Sequence, residues 1–352
     1  MRLEHEIVEL HTRHAFNIAR MKDDFVRRCV HVRLIDDDGL EGWGEAPVST
    51  PYYGESADTV IAVLPLLHAA LKGGFPTPAA ASLEVIEQRL AGAVEGNRGA
   101  RAAISAALHD LAGKRAGLPV WRMWGLDPAR APRSSFTIAI DEPAVMAERA
   151  REAARTFPVL KIKIGTARDE EMLRAVRDAA PHATLKVDAN TGWTADLALE
   201  RLPMLEEFGV ELLEQPLAPD DLDGLARVRA RARIPLYADE SCRTLADVQR
   251  LAGRVDGINI KLAKCGSLLE AHRMVDAARD SGMGVMLGCM VETTLGIAAG
   301  VQLAPLTDHL DLDGALLLAN DPIEGPGVEL DGSLRFNEAP GLGVRRRSGH
   351  EA

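Results

Sequence analysis

The hydrophobic rhythm of the chain changes near residue 131. Before it, residues 26–34 alternate weakly between apolar and polar positions. They run into Asp36-Asp37-Asp38-Gly39, a hairpin signal, and Gly42-Trp43-Gly44-Glu45 opens the next segment. This pattern predicts an antiparallel meander. Apolar positions then recur at helical spacing over 57–71, 83–90 and 100–117, the last stopped by Gly117 with Pro119 just beyond. From Ser134 onward, short apolar runs alternate with longer helical stretches. The runs are 136–140, 159–164, 183–189, 210–214, 234–238, 257–262, 284–287 and 309–312. The helical stretches include 143–156, 168–180, 195–208, 222–232, 245–253, 268–281 and 294–304. Alternating strands and helices with short joints mean parallel strands with helical crossovers, and eight such runs close into a barrel. A doubly wound sheet would want a glycine-rich phosphate turn after its first strand, and the sequence has none there. After Asn320 a tail with Pro322, Gly325, Pro326 and Gly327 leaves the barrel. The expected organisation is an α+β domain over 1–130, a barrel over 131–320, and a tail over 321–352 that packs back on the first domain.

Composition adds limits rather than identity. A length of 352 residues suits two domains, or one barrel plus an addition, and 47% apolar with 26% charged residues is ordinary for a soluble protein. A net charge of -11 argues against a nucleic-acid or anionic-membrane partner. Residues 1–20 mix charge throughout with no apolar signal region, and no stretch reaches the length of a membrane span. Cys29, Cys242, Cys265 and Cys289 are far apart and lack metal-ligand spacing. That predicts reduced thiols in the cytoplasm rather than a disulfide frame or a zinc site.

Chemistry gathers at the strand ends, where barrels of this kind carry their active sites. The second run carries Lys161 and Lys163, two residues apart and so on one face. An exposed edge strand guarded by lysines would look the same. The later strand ends favour a site. Asp188, Glu214 and Asp239 close three consecutive strands, so they are neighbours. Each could cap the helix that follows, a role Asp fills better than Glu. Together, with no His or Cys among them, they suit a hard divalent cation, Mg2+ above all. Lys163 lies one strand before the trio and Lys261 one strand after, so in a closed barrel the two face each other across it. Two bases on opposite faces of one carbon can remove a proton from one side and return it to the other. A cation offsets the charge of the ene-diolate formed when a proton is lost next to a carboxylate. A nearby positive charge lowers a lysine pKa, so Lys161 and the metal would make Lys163 a base. Lys161 is also expected to touch the substrate carboxylate.

Lys-x-Lys, then Asp, Glu, Asp, then Lys resembles the enolase superfamily, in its muconate-lactonizing-enzyme subgroup. Gly42-Trp43-Gly44-Glu45 and the stretch from Leu111 to Pro119 are similar to that family's capping domain. The resemblance covers nearly the whole chain. It implies a modified TIM barrel, (β/α)7β, whose mouth is closed by loops of an N-terminal α+β capping domain. Muconate cycloisomerases, o-succinylbenzoate synthases, N-succinylamino acid racemases and dipeptide epimerases share the lysines and acids, so these residues do not choose among them. Asp311-Leu312-Asp313 resembles the Asp-x-Asp of dipeptide epimerases, where carboxylates would hold the free α-ammonium of a dipeptide; an acidic loop is the plainer reading. Arg20 resembles a capping-loop arginine that reaches a substrate carboxylate, or is a surface residue. Thr137 and Cys289 match substrate-contacting positions, and are otherwise a strand residue and a core residue. The resemblance implies a Mg2+-dependent isomerase that inverts the C-terminal residue of a dipeptide, with the murein-derived L-Ala-D/L-Glu as first guess. It also implies a cytoplasmic homo-oligomer.

Overall fold

The computed structural model describes residues 1–22, 26–71 and 79–348. The N-terminal part is built on three antiparallel strands in the order β1 (Arg2–His11), β2 (Val26–Ile35) and β3 (Glu41–Pro47). β1 is absent from the sequence-based expectation because its polar residues carry no clean alternation; it pairs with β2 over its full length, Arg2 opposite Ile35. Alternation on β2 turns Val30, Val32 and Leu34 to one face, where they pack with the helices Ala57–Ala70 and Arg98–Ala116. The second of these helices lies close against β3. A Cβ on Gly44 would collide with the carbonyl oxygen of Ala103, and one on Gly42 with that of Ala107. Only glycine admits this approach.

The barrel strands are β4 (Phe136–Ile138), β5 (Val159–Lys163), β6 (Thr184–Asp188), β7 (Val210–Glu214), β8 (Leu236–Ala238), β9 (Gly257–Ile260), β10 (Gly284–Gly288) and β11 (His309–Asp311). They pair in chain order as one 8-stranded parallel sheet. A parallel bridge from Ser134 to Leu310 joins the first strand to the last, closing the barrel. Helices Pro143–Ala153, Asp169–Ala179, Ala195–Glu207, Leu222–Arg229, Leu245–Leu251, Leu268–Asp280 and Thr294–Val301 follow the first seven strands. After β11 the short 3-10 turn Gly314–Leu317 stands where an eighth helix would, so the architecture is (β/α)7β. Expected helix ends run one to three residues past those observed, because the last turn of each pattern is spent on the joint to the next strand.

The tail runs back across the molecule. Val120 N donates to Gly341 O and Leu342 N to the buried Asp110 carboxylate, while Arg345–Arg346 pairs with Ile323–Glu324. Residues 349–352 of the expected tail lie outside the described residues. Two N-terminal segments cover the barrel mouth. Ile140 N donates to Asn17 O, and the short helix Thr50–Tyr53 brings Tyr52 over the strand ends. Among the described residues, no helix is long and apolar enough to cross a membrane.

Candidate active site at the barrel mouth

Register sets the height of each side chain. Lys163 pairs with Asp188 and Asp188 with Glu214, so these three stand level on adjacent strands. Asp239 and Lys261 each follow their strand, β8 and β9, by one residue. Oxygens of Asp188, Glu214 and Asp239 lie within 4.8 Å of one another, and all three side chains are buried. Glu214 Oε2 accepts no aligned hydrogen bond, and burial with the Asp188 carboxylate holds the Glu214 pKa above the usual range. Three hard oxygen donors fit a divalent cation such as Mg2+.

The lysines stand at the two ends of this row. Lys163 Nζ is 2.6 Å from Asp188 Oδ2, and Lys261 Nζ is 2.9 Å from Asp239 Oδ2. β5 and β9 are separated by three strands in an 8-stranded barrel, which puts the two amines on opposite sides of its axis. Both line one cavity, together with Tyr52, Thr137, Asn190, Cys289, Asp311 and Asp313. Burial pushes the Lys261 pKa down, but the Asp239 carboxylate outweighs it and Lys261 is held above an ordinary lysine. The expectation that Lys163 lies beside Lys161 is met on β5.

Lys161 lies deeper than expected. It is 1% exposed, and its Nζ sits 2.7 Å from Glu214, 2.8 Å from Asp311 and 3.1 Å from Asp188. It therefore braces the acids from within the barrel. Asp311 is pushed down to about 2, the Lys161 ammonium overcoming burial, and Asp313 is pushed up to about 7 by burial and the Asp311 charge. Thr137 N donates to Asp313 at 2.6 Å, and Ser135 Oγ to Asp311 at 2.9 Å. Arg20 turns to Glu240, 2.6 Å away, and stacks over the Tyr52 ring at 4.7 Å. Arg27 lines the cavity, whose wall also holds the apolar Phe16, Ile18, Met21 and Leu317.

Three further groups complete the site. Lys264 Nζ holds Asp239, 2.5 Å from Oδ1 and 2.6 Å from its carbonyl oxygen. Asn259 donates to Glu214 Oε1 at 2.8 Å, and the Tyr52 hydroxyl to Asp239 Oδ2 at 2.5 Å. Asn259 carried a signal, since it shares a strand face with Lys261 in an otherwise apolar run. Lys264 carried none, because it reaches the site through a turn.

The family described as mandelate racemase / muconate lactonizing enzyme, N-terminal domain, matches residues 4–125, and the one described as enolase C-terminal domain-like matches 145–348. An L-Ala-D/L-Glu epimerase of Bacteroides thetaiotaomicron is 38% identical over 339 residues, 96% of this chain and 86% of that protein. A hydrophobic dipeptide epimerase of Roseobacter litoralis is 39% identical over 320 residues, 88% of this chain and 89% of that protein. The substrate-liganded L-Ala-D/L-Glu epimerase from Bacillus subtilis superposes with a TM-score of 0.91 at 31% identity, covering 98% of each chain. The dipeptide epimerase of Enterococcus faecalis complexed with Mg and L-Leu-L-Tyr gives a TM-score of 0.91 at 33% identity, covering 97% of this chain and 98% of that one.

Proposed function

This chain belongs to the mandelate racemase/muconate lactonizing enzyme family of the enolase superfamily, and we propose from that premise that it is a Mg2+-dependent dipeptide epimerase. The observation that carries the reading is the placement of two amines at opposite ends of a row of three acids. Asp188, Glu214 and Asp239 hold the cation, which when bound offsets the negative charge that grows on the substrate carboxylate. Lys163 and Lys261 face opposite sides of the α-carbon of the C-terminal residue; in each direction one, as amine, takes the α-proton while the other, as ammonium, delivers its own to the opposite face. Lys161 keeps the acids in register. Asp311 and Asp313 hold the α-ammonium of the first residue, with Thr137 and Cys289 beside it. The restored charge partner suits Asp313, whose ionised form burial disfavours.

The first substrate we assign is L-Ala-L-Glu, interconverted with L-Ala-D-Glu. Arg27 is the partner of the glutamyl carboxylate, and Arg20 instead positions Glu240 and Tyr52. The functional division is a capping domain over 1–130 with the tail 321–352, and a catalytic barrel over 131–320. We further place the enzyme in the cytoplasm as a homo-oligomer that recycles murein dipeptides; its four cysteines are free thiols. The test is to incubate L,L-dipeptides with the enzyme and Mg2+ in heavy water, reading mass gain and the appearance of the L,D epimer. Deuterium at the C-terminal α-carbon with inversion supports the reading. Mass gain confined to succinylated or muconate substrates would overturn it.

A further inference from the structure

The face of β2 turned away from the capping helices carries Cys29, His31 and Arg33. His31 lies directly opposite Glu45 on β3 and Glu6 on β1, so Glu6, His31 and Glu45 form a row across the sheet, with Cys29 two residues along. One ligand atom each from Cys29, His31 and Glu45 falls within 4.8 Å of the others, and all three residues are buried. We propose that these three side chains form a second metal site of zinc type, distinct from the oxygen-only acids at the barrel mouth.

The imidazole is the observation that asks for a ligand. His31 is 1% exposed, and its Nδ1 has no hydrogen-bond partner. Its Nε2 comes no nearer than 3.3 Å to the Thr293 hydroxyl and 3.5 Å to Glu45. A buried ring left this loosely bonded loses the hydration it had in water and gains little in return. A cation on Nε2 removes that deficit and fixes the proton on Nδ1, which then faces the Glu6 carboxylate 3.5 Å away. A ligating histidine held through its second nitrogen by a carboxylate is the usual arrangement around zinc. Glu6 is in turn paired with Arg346 of the tail.

The other two donors are compatible. Glu45 caps the helix Thr294–Val301 through Thr293 N and Gly296 N, and bonds the Thr293 hydroxyl as well. Its Oε1 accepts the Thr293 N–H at 3.0 Å, and the Cys29 thiol hydrogen-bonds the same carboxylate. Binding as thiolate releases the Cys29 proton. One thiolate, one carboxylate and one neutral imidazole balance a divalent cation in a dry site, with a water completing four-coordination. Softness sorts the two sites: sulfur and nitrogen favour zinc, and the three carboxylates favour magnesium. The cluster joins the capping sheet to Thr293, a few residues past Cys289 and Met290 of the cavity wall. An occupied site would pin that wall to the cap. The proposal stands apart from the assigned reaction, since none of its ligands touches the cavity.

Co2+ serves as the probe, because thiolate ligation gives it a sulfur-to-metal charge-transfer band that oxygen ligands do not. Titrating the full chain with Co2+ in saturating Mg2+ should give this band, reversed by added Zn2+ and accompanied by proton release. It should vanish in Cys29→Ser, fall in His31→Gln, and persist in Cys289→Ser and Asp188→Asn. A wild-type chain with no charge-transfer band, or a band that survives Cys29→Ser, overturns the site and leaves Glu45 as a helix cap alone. The wild-type measurement decides even if a variant fails to fold.

Discussion

Lysine 261 is the residue on which the two-base scheme is most exposed. Its amine touches Asp239 at one end of the acid row, while Lys163 touches Asp188 at the other. Lys261→Ala should abolish epimerisation, a loss of about 10²–10⁴-fold or more for a missing acid-base group. It should leave deuterium exchange into the one epimer whose proton faces Lys163. Separate heavy-water incubations of the L,L and L,D dipeptides read this directly, and normal turnover of both epimers would sink the scheme. Arg27 bears on specificity rather than chemistry. It lines the cavity whose wall also holds the apolar Phe16, Ile18, Met21 and Leu317. A charge-assisted hydrogen bond is worth about 1.5–3 kcal/mol, so Arg27→Leu should cut kcat/KM for L-Ala-L-Glu by roughly 10–100-fold. The same variant should gain on dipeptides with an apolar second residue. Equal losses on both substrate classes would mean that Arg27 only supports the fold.

Elements differ in how much of their packing is written locally. Gly44 sits where β3 meets the helix Arg98–Ala116, and its missing Cβ is what lets the carbonyl of Ala103 approach. Backbone cannot step aside as a side chain can, so Gly44→Ala should destabilise by about 1–3 kcal/mol. Gly92, in the helix Ala79–Ala93, has open space around a built Cβ; Gly92→Ala should instead stabilise by up to about 1 kcal/mol. Thermal unfolding of both variants compares the two, and matching shifts would refute the packing argument. The contrast also explains what the sequence revealed. The eight barrel strands were legible because strands buried on both faces read as short apolar runs between helical periods, and the acids and lysines stood out against them. β1 was not legible, since Glu4, Glu6 and Glu9 interrupt its apolar positions and its partner lies across a turn. Lys264 and the Cys29–His31–Glu45 cluster were hidden for one shared reason. Each depends on a register or a turn that brings distant residues together, which spacing along the chain does not encode.

The whole molecule carries a conflict between stability and function at its centre. Lys161, Lys163, Lys261 and Lys264 are buried together with Asp188, Glu214, Asp239 and Asp311, an assembly that no apolar core would need. The acids are not equivalent within it. Burial opposes ionisation of Asp188, but Lys163 and Lys161 outweigh it and hold its pKa below the usual range. Glu214 is held above that range by burial and by Asp188 itself. Asp188 is thus held ionised by two lysines, while Glu214, 2.7 Å from Lys161, gains more from a cation. Saturating Mg2+, at about 100 times its Kd, should stabilise the native protein by about 2.7 kcal/mol and raise Tm by several degrees. Asp188→Asn and Glu214→Gln should both abolish that rise. In metal-free buffer they should part: Asp188→Asn strips a counterion from two buried ammonium groups and lowers Tm, while Glu214→Gln replaces a strained carboxylate by a neutral isostere and holds or raises it. Calorimetry of the three proteins with and without Mg2+ makes the comparison. An equal metal-free loss in both variants would mean that the charges are shared evenly, and that the acid row is braced for its own sake rather than poised for a cation.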